Sequence, residues 1–590
     1  MNTSSYLPHT VAKPSESSRY SFKQFAAACM FVLLTVCASS QTLKPSVSCE
    51  SLARLDLPEV TITMAVPVAA GQFHGGPVAD SQLAPLTPAG AAAHPFPSPD
   101  NSPNPAFCRV AATLKPSGDS DIKMEIWLPL TNWNGKFMGA GNFGWAGDIR
   151  YDGLMLGIRN GYAVASNDTG HDRSSGQTAE FAVGHPEKVI DYGWRANHAM
   201  TLDSKAIIKS FYGAGPKHSY WVGCSLGGEQ GMMEVERFPQ DYDGALIGQP
   251  PWPLPNMNAG QIWPTLLERE TPGGTLTAKK TALIQDAIKN QCATPVDLKL
   301  GYINDPDGCH FDPNTLLCKG ADADDCLTAA QVDRVTKLHN GLINTRTGEH
   351  ITLAPEGWGN GPSLTSMTGF GGAAGPGPGG PGGAGPGGPG PGGPNGGPGG
   401  AGPAGAAPAG ARPPGGGGLG ASPGQPMGVA LALYKYLVFQ DPNWDWKTLD
   451  FDRDEPLAEK VLSTVFTAEN PNLKQFFDHG GKLLLYEDTP ETLKFYKDVL
   501  KTVGPEANNS IRVFNMPGMA HCSGGAGCDT FDKLGVIDAW VNGGPAPDRI
   551  VAVKSTDSKV THPICAYPKV AKYKGTGELT DAASFVCAER

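Results

Sequence analysis

A chain of 590 residues is too long for one simple core and implies two or more domains, and its 40% hydrophobic content is ample for globular packing. The net charge is -11, the pI is near 5.6, and no basic block exceeds a residue pair, so a nucleic-acid partner is not expected.

In chain order, Arg19 and Lys23 precede a nearly unbroken apolar run from Phe25 to Ala38, followed by Ser39, Ser40 and Gln41. That is the order of a secretory signal peptide over residues 1–40 with a small-residue cleavage site. At 14 residues the run is shorter than the roughly 20 a spanning helix needs, so no stable membrane span is expected. Leu34-Thr35-Val36-Cys37 is close to a lipoprotein acylation box, with Val36 standing where Gly, Ala or Ser belongs. Removal of the signal takes Cys29 and Cys37 and leaves eleven cysteines, an odd number. The close pairs Cys292 with Cys309, Cys318 with Cys326 and Cys565 with Cys587 read as staples made in an oxidising compartment, secreted or periplasmic. No Cys-x-x-Cys or cysteine–histidine cluster speaks for zinc.

From about 105 to 250, strand-like runs (Ile122 to Leu128, Lys136 to Met138, Tyr162 to Ser166, Ser219 to Val222) alternate with helical patterns such as His198 to Phe211. This alternation predicts a parallel sheet covered on both faces. Residues 251–465 break the rhythm with Trp, Pro and short cysteine loops, and Phe370 to Pro426 is almost wholly Gly, Pro and Ala. Such a stretch has no side chains to bury and reads as a disordered or polyproline-like insertion. Apolar strands resume at Leu483 to Tyr486 and at Ile511 to Phe514. The expected architecture is one α/β core in two parts, 41–250 and 466–590, with 251–465 inserted as a lid domain over the carboxyl edge of the sheet.

The chemistry concentrates at two cysteine-flanked sites. Gly223-Cys224-Ser225-Leu226-Gly227 follows a strand and precedes a helix predicted over Glu229 to Phe238, the context a nucleophile elbow needs. The second is Ala520-His521-Cys522. A disulfide holds its Cα atoms about 5.5–6 Å apart, so a Cys224–Cys522 bond would bring Ser225 to His521 as nucleophile and base. The third member, an acid that orients His521, belongs just after a strand between them: Asp488 is preferred, with Glu487 next. The oxyanion hole needs two backbone N–H donors, assigned to Leu226, after the nucleophile, and to Gly144 in the glycine-rich run Gly139 to Trp145. Trp252, Trp263, Trp358, Trp444 and Trp446 are available for aromatic stacking or to pack the core.

The Cys-Ser and His-Cys pairs, with Ser166-Asn167-Asp168-Thr169-Gly170-His171-Asp172, His185-Pro186-Glu187, Tyr242-Asp243-Gly244 and Cys326-Leu327-Thr328, resemble the tannase and feruloyl esterase family. The resemblance runs from about Cys49 to Cys587 and implies an α/β-hydrolase core with a large lid, export, and cleavage of small-molecule esters of aromatic acids through an acyl-enzyme. It also implies the pairings Cys49 with Cys108, Cys224 with Cys522, Cys292 with Cys309, Cys318 with Cys326 and Cys565 with Cys587, leaving Cys528 as the odd thiol. Two departures stand out. The loop after Tyr486 is several residues shorter than the family's, which motivates an alternative reading as a binding protein with an impaired triad acid. In the lid, relatives hold calcium through carboxylates at positions that here are Ala293, Val296 and Leu300. Calcium takes six to eight oxygens, so no metal or other cofactor is expected. A peptidase is a third reading, because the same triad chemistry serves amides.

Overall fold

The computed structural model describes residues 44–73, 103–172, 178–359, 426, 428–486 and 489–590. The signal peptide, the Gly/Pro-rich stretch apart from Pro426, and both candidate acids, Glu487 and Asp488, lie outside the described residues. The strands are β1 (Val60–Val68), β2 (Phe107–Leu114), β3 (Ile122–Pro129), β4 (Lys136–Ala140), β5 (Ala163–Asn167), β6 (His218–Cys224), β7 (Gly244–Gly248), β8 (Lys482–Tyr486), β9 (Ile511–Phe514), β10 (Arg549–Lys554), β11 (Asp557–Cys565), β12 (Val570–Tyr573) and β13 (Phe585–Ala588). The first nine form one sheet in the order β1-β2-β3-β5-β4-β6-β7-β8-β9, and the last four form two small two-stranded sheets.

The expectation of a parallel sheet is corrected at one side. From β5 through β4 to β9 every pair is parallel, but β1, β2, β3 and β5 pair antiparallel. For the β2–β3 pair the reason is connection length. Residues 115–121 suffice for a hairpin between β2 and β3, whereas a parallel pair needs a crossover of a dozen or more residues. The helix Ala196–Tyr212 provides such a crossover before β6, and the helix Leu226–Arg237 joins β6 to β7.

Alternation of side chains along each strand sorts the core into two layers. Trp221, Ala245, Ile247, Leu483 and Leu485 face one cluster, while Tyr220, Val222, Leu246 and Leu484 face the other. With both faces covered, β6 and β7 read as nearly continuous buried runs, as central parallel strands do.

β7 and β8 are sheet neighbours, yet residues 249–481 leave the sheet between them. The described part of this segment is mainly helical, including Leu254–Glu270, Ala278–Cys292, Ala329–Asn340 and Phe451–Phe466. Its Leu254, Ile262, Tyr434, Leu462 and Phe466 share an apolar cluster with Trp145, Tyr192 and Leu226. The segment is thus packed directly on the loops at the carboxyl ends of the strands. Among the described residues, five disulfides join Cys49–Cys108, Cys224–Cys522, Cys292–Cys309, Cys318–Cys326 and Cys565–Cys587, and Cys528 is free and buried. No helix among the described residues is long and apolar enough to cross a membrane.

Candidate active site

Ser225 follows β6 in a conformation few L-residues adopt, with φ 59° and ψ -133°. Such backbone strain persists only where the surroundings impose it. They do so here: the Ser225 N–H donates to the Gly248 carbonyl at 2.9 Å, and the glycines on either side have no room for a side chain. A Cβ on Gly223 would lie 2.1 Å from the Gly227 carbonyl oxygen, and one on Gly227 would lie 2.4 Å from that of Asn142. The helix therefore starts at Leu226, three residues before the predicted Glu229. Gly227 and Gly228 are helical because close packing requires glycine there, not because the chain turns. Leu226, as the first helical residue, has an amide with no intrahelical acceptor and sits at the positive end of the helix dipole.

The Cys224–Cys522 disulfide, with Cα atoms 6.0 Å apart, fixes His521 next to this elbow. Cys522 has φ 66°, and its N–H donates to Gln249 Oε1 at 2.5 Å, while the Gln249 N–H donates to the Tyr486 carbonyl at 3.2 Å. One residue just past β7, through its side chain on one side and its backbone on the other, thereby ties the histidine loop to the end of β8. The loop itself is a tight ring: Ala520 N–H reaches the Gly524 carbonyl at 3.0 Å, and Gly527 N–H reaches that of Gly518 at 2.8 Å. The protein crowded round His521 pushes its imidazole down to about 4 through lost solvation, although the residue keeps an exposed face. Water on that face opposes the shift, so what the site draws on is its direction, a neutral ring at pH 7.

The glycine-rich run reaches the same place. Phe143 stands with its ring centre 6.0 Å from that of His521. The Asn142 N–H is spent on Gln230 Oε1 at 3.0 Å, and its side-chain amide donates to the carbonyls of Asn167 at 2.8 Å and Asp148 at 3.0 Å. Gly144 follows with φ 55°, and its carbonyl accepts from Tyr192 Oη at 2.7 Å. Ser225, His521, Leu226 and the loop carrying Gly144 thus meet at the carboxyl end of the parallel strands. Gln249, Gln230 and Tyr192, which brace them, carry no local sequence signal.

Of the five tryptophans, Trp252 packs edge-on against Phe495 at 4.3 Å and Trp358 stacks on His339 at 3.7 Å, so both are occupied. Trp263, Trp444 and Trp446 are only partly buried. An open depression of about 510 Å³ is lined solely by residues between Arg549 and Cys587, and none of the candidate site residues borders it.

Two places bear on metal binding. Val296 and Leu300 pack against the cluster of Cys565, Ala571 and Phe585. The nearby carboxylate of Asp297 accepts from Thr294 N–H and Oγ1 and from Asn304 N–H. Apolar packing and a helix cap hold this loop, and the donor set does not fit calcium. His198, Glu234 and Asp241 bring ligand atoms within 4.8 Å of one another. Burial and Asp241 raise Glu234 well above the carboxylate range, so a proton on Glu234 can pair it with Asp241, while the Lys205 ammonium bonds the Asp241 carbonyl. His198 Nδ1 already lies 2.7 Å from Asp241 Oδ2, so the contact that joins these two residues is accounted for as an ordinary hydrogen bond.

The sequence matches the family described as tannase and feruloyl esterase over residues 108–372 and 424–588. It is 30% identical to an uncharacterized esterase of Xanthomonas campestris pv. campestris over 94% of both chains. It is 28% identical to the mono(2-hydroxyethyl) terephthalate hydrolase of Piscinibacter sakaiensis, over 82% of this chain and 85% of that one. The crystal structure of feruloyl esterase B from Aspergillus oryzae superposes with a TM-score of 0.70 at 26% identity, covering 92% of this chain and 99% of the other. With an α/β-hydrolase sheet, a Cys-flanked serine elbow and this likeness along nearly its whole length, the chain belongs to the tannase and feruloyl esterase family and is a carboxylic ester hydrolase.

Proposed function

We propose that the protein is an exported serine esterase that cleaves esters of aromatic acids, such as galloyl or feruloyl esters. The observation that carries this reading is the Cys224–Cys522 bond, which ties the strained Ser225 elbow to the loop that carries His521. Ser225 Oγ attacks the ester carbonyl and gives its proton to the neutral imidazole of His521. The negative charge that develops on the carbonyl oxygen is held by the N–H groups of Leu226 and Gly144. His521 then passes its proton to the departing alcohol, leaving an acyl-enzyme. Water, deprotonated by the same imidazole, attacks this ester, and the aromatic acid leaves as Ser225 recovers its proton. Asp488 is the residue we assign to orienting His521.

Residues 251–465 form a lid over this site, a reading supported by the apolar cluster that Tyr434, Leu462 and Phe466 share with Trp145 and Leu226. Trp444 packs against Phe439 at 4.9 Å, which leaves Trp263 and Trp446 as the aromatic faces for the acyl ring. The choice of aromatic acids is supported by the relatives named above, whose names specify feruloyl and terephthalate esters. Export is supported by the charged, apolar and small-residue order at the N-terminus and by five disulfides.

The test is turnover of methyl ferulate, methyl gallate and p-nitrophenyl acetate by the wild type beside Ser225→Ala. The wild type is expected to hydrolyse at least one aromatic ester with a higher kcat/KM than the acetate, and the variant to lose about 10⁶-fold in kcat. A folded wild type inert toward all three, or a variant as active as the wild type, overturns the proposal.

A further inference from the structure

The loop that carries Gly144 is held from three sides. Tyr192 Oη donates to the Gly144 carbonyl at 2.7 Å, and His171 Nε2 bonds the Trp145 carbonyl at 2.9 Å. The third restraint leaves the core altogether: Trp145 Nε1 donates to the carbonyl of Val429 at 2.9 Å, in the inserted segment. The residues are 1%, 5% and 0% exposed for Tyr192, His171 and Trp145, so no water stands ready to replace a lost partner. Burial also keeps His171 neutral, with its imidazole lowered to about 4, and because the Trp145 carbonyl can only accept, Nε2 carries the proton.

An indole has a single donor and no acceptor. Trp145 commits that donor to the inserted segment, while its ring packs independently against Tyr192 at 5.0 Å and Phe466 at 6.3 Å. The residue before it is a glycine at φ 55°, the softest backbone available, so the direction of its amide depends on what fixes its neighbours. Two restraints hold carbonyls from the core. The third makes the loop answer to the position of residues 428–438.

We infer that Trp145 is a positioning residue that couples docking of residues 428–438 to the aim of the Gly144 amide. The inference rests on the oxyanion role proposed above for that amide. When the Val429 carbonyl is in place the loop presents its donor to the developing charge; without it the Trp145 side chain relaxes and the donor turns away. The inserted segment then contributes to kcat and not only to the binding of substrate.

Trp145→Phe keeps an aromatic ring and removes the donor. For methyl ferulate, kcat is expected to fall roughly 10- to 100-fold with KM within about twofold, the size of effect that a misaimed donor produces. An aromatic boronic acid, whose tetrahedral adduct on Ser225 places an oxygen where the oxyanion forms, should lose affinity by the same factor as kcat/KM, and ferulic acid itself should not. Amide exchange at residues 428–433 should quicken while that of β6 stays unchanged. A folded Trp145→Phe with kcat and boronate affinity at wild-type levels overturns the inference. So does a loss shared equally by boronate and ferulic acid, which marks general damage. If the variant does not fold, benzothienylalanine at position 145, with sulfur in place of Nε1–H, is held to the same criteria. Ser225→Ala separates the two levels: wild-type turnover in that variant sinks the proposed function, whereas an inert Ser225→Ala beside an unimpaired Trp145→Phe sinks only the coupling.

Discussion

Ser225 and His521 are each one residue from an end of the same covalent bond, although almost 300 residues of chain lie between them. A nucleophile and base must meet within a few tenths of an ångström to act together, and displacement by about 1 Å can cost 10²-fold. Replacing both Cys224 and Cys522 by Ala should therefore lower kcat by roughly 10²-fold and reduce stability by about 2–5 kcal/mol. Steady-state kinetics and thermal denaturation of the double variant check this, and an unchanged kcat would show that the loop holds His521 unaided. The imidazole carries a second expectation. The protein crowded round one side of the ring disfavours its charged form, so the neutral base is present at pH 7 and is lost only as pH falls through its lowered pKa. The acid limb of kcat/KM should have its midpoint below the ordinary histidine value of about 6.5; a midpoint above that contradicts the assignment. Ser225, His521 and Leu226 were legible because each lies in a short local pattern. Gln249, Tyr192 and the Trp145 contact to Val429 were not, because they join residues 273, 48 and 284 positions apart with nothing local to announce them.

At the scale of elements, the elbow is a problem of backbone approach. The helix Leu226–Arg237 and the loop Gly139–Trp145 come together so closely that Gly227 meets backbone on the facing side. Gly227→Ala should displace Asn142 and the adjoining glycine loop, costing about 1–3 kcal/mol of stability together with most of the turnover. Thermal unfolding and kinetics of the purified variant test it, and a wild-type melting temperature would count against the packing described. The same glycines explain why the helix start was misplaced in the sequence. Gly227-Gly228 reads locally as a turn, and only the neighbouring loop makes glycine the residue a helix needs there. The sheet follows a similar logic: strand positions are visible in apolar runs, but the antiparallel β2–β3 pairing depends on the short connection 115–121 rather than on the strands themselves.

For the molecule as a whole, a parallel core supplies the site and a long insertion between two adjacent strands packs onto it. The insertion was legible as a break in rhythm and composition, whereas its contact with the glycine loop was not, since apolar residues such as Tyr434 and Phe466 do not specify their partners. Part of this insertion is held by apolar packing and a helix cap. Val296 and Leu300 lie in an apolar cluster and Asp297 caps its own loop, so treatment with EDTA should leave both melting temperature and esterase activity unchanged. A drop in melting temperature that added calcium restores would contradict this. The most direct test of the central claim, that Ser225 is the nucleophile activated by its disulfide-linked histidine, is covalent capture with paraoxon followed by intact mass and peptide mapping. The account predicts one diethylphosphoryl group per chain, on Ser225, with activity lost in step with labelling and no labelling after His521→Ala at the same exposure. Phosphorylation at another residue, or full esterase activity in protein labelled at Ser225, would contradict it.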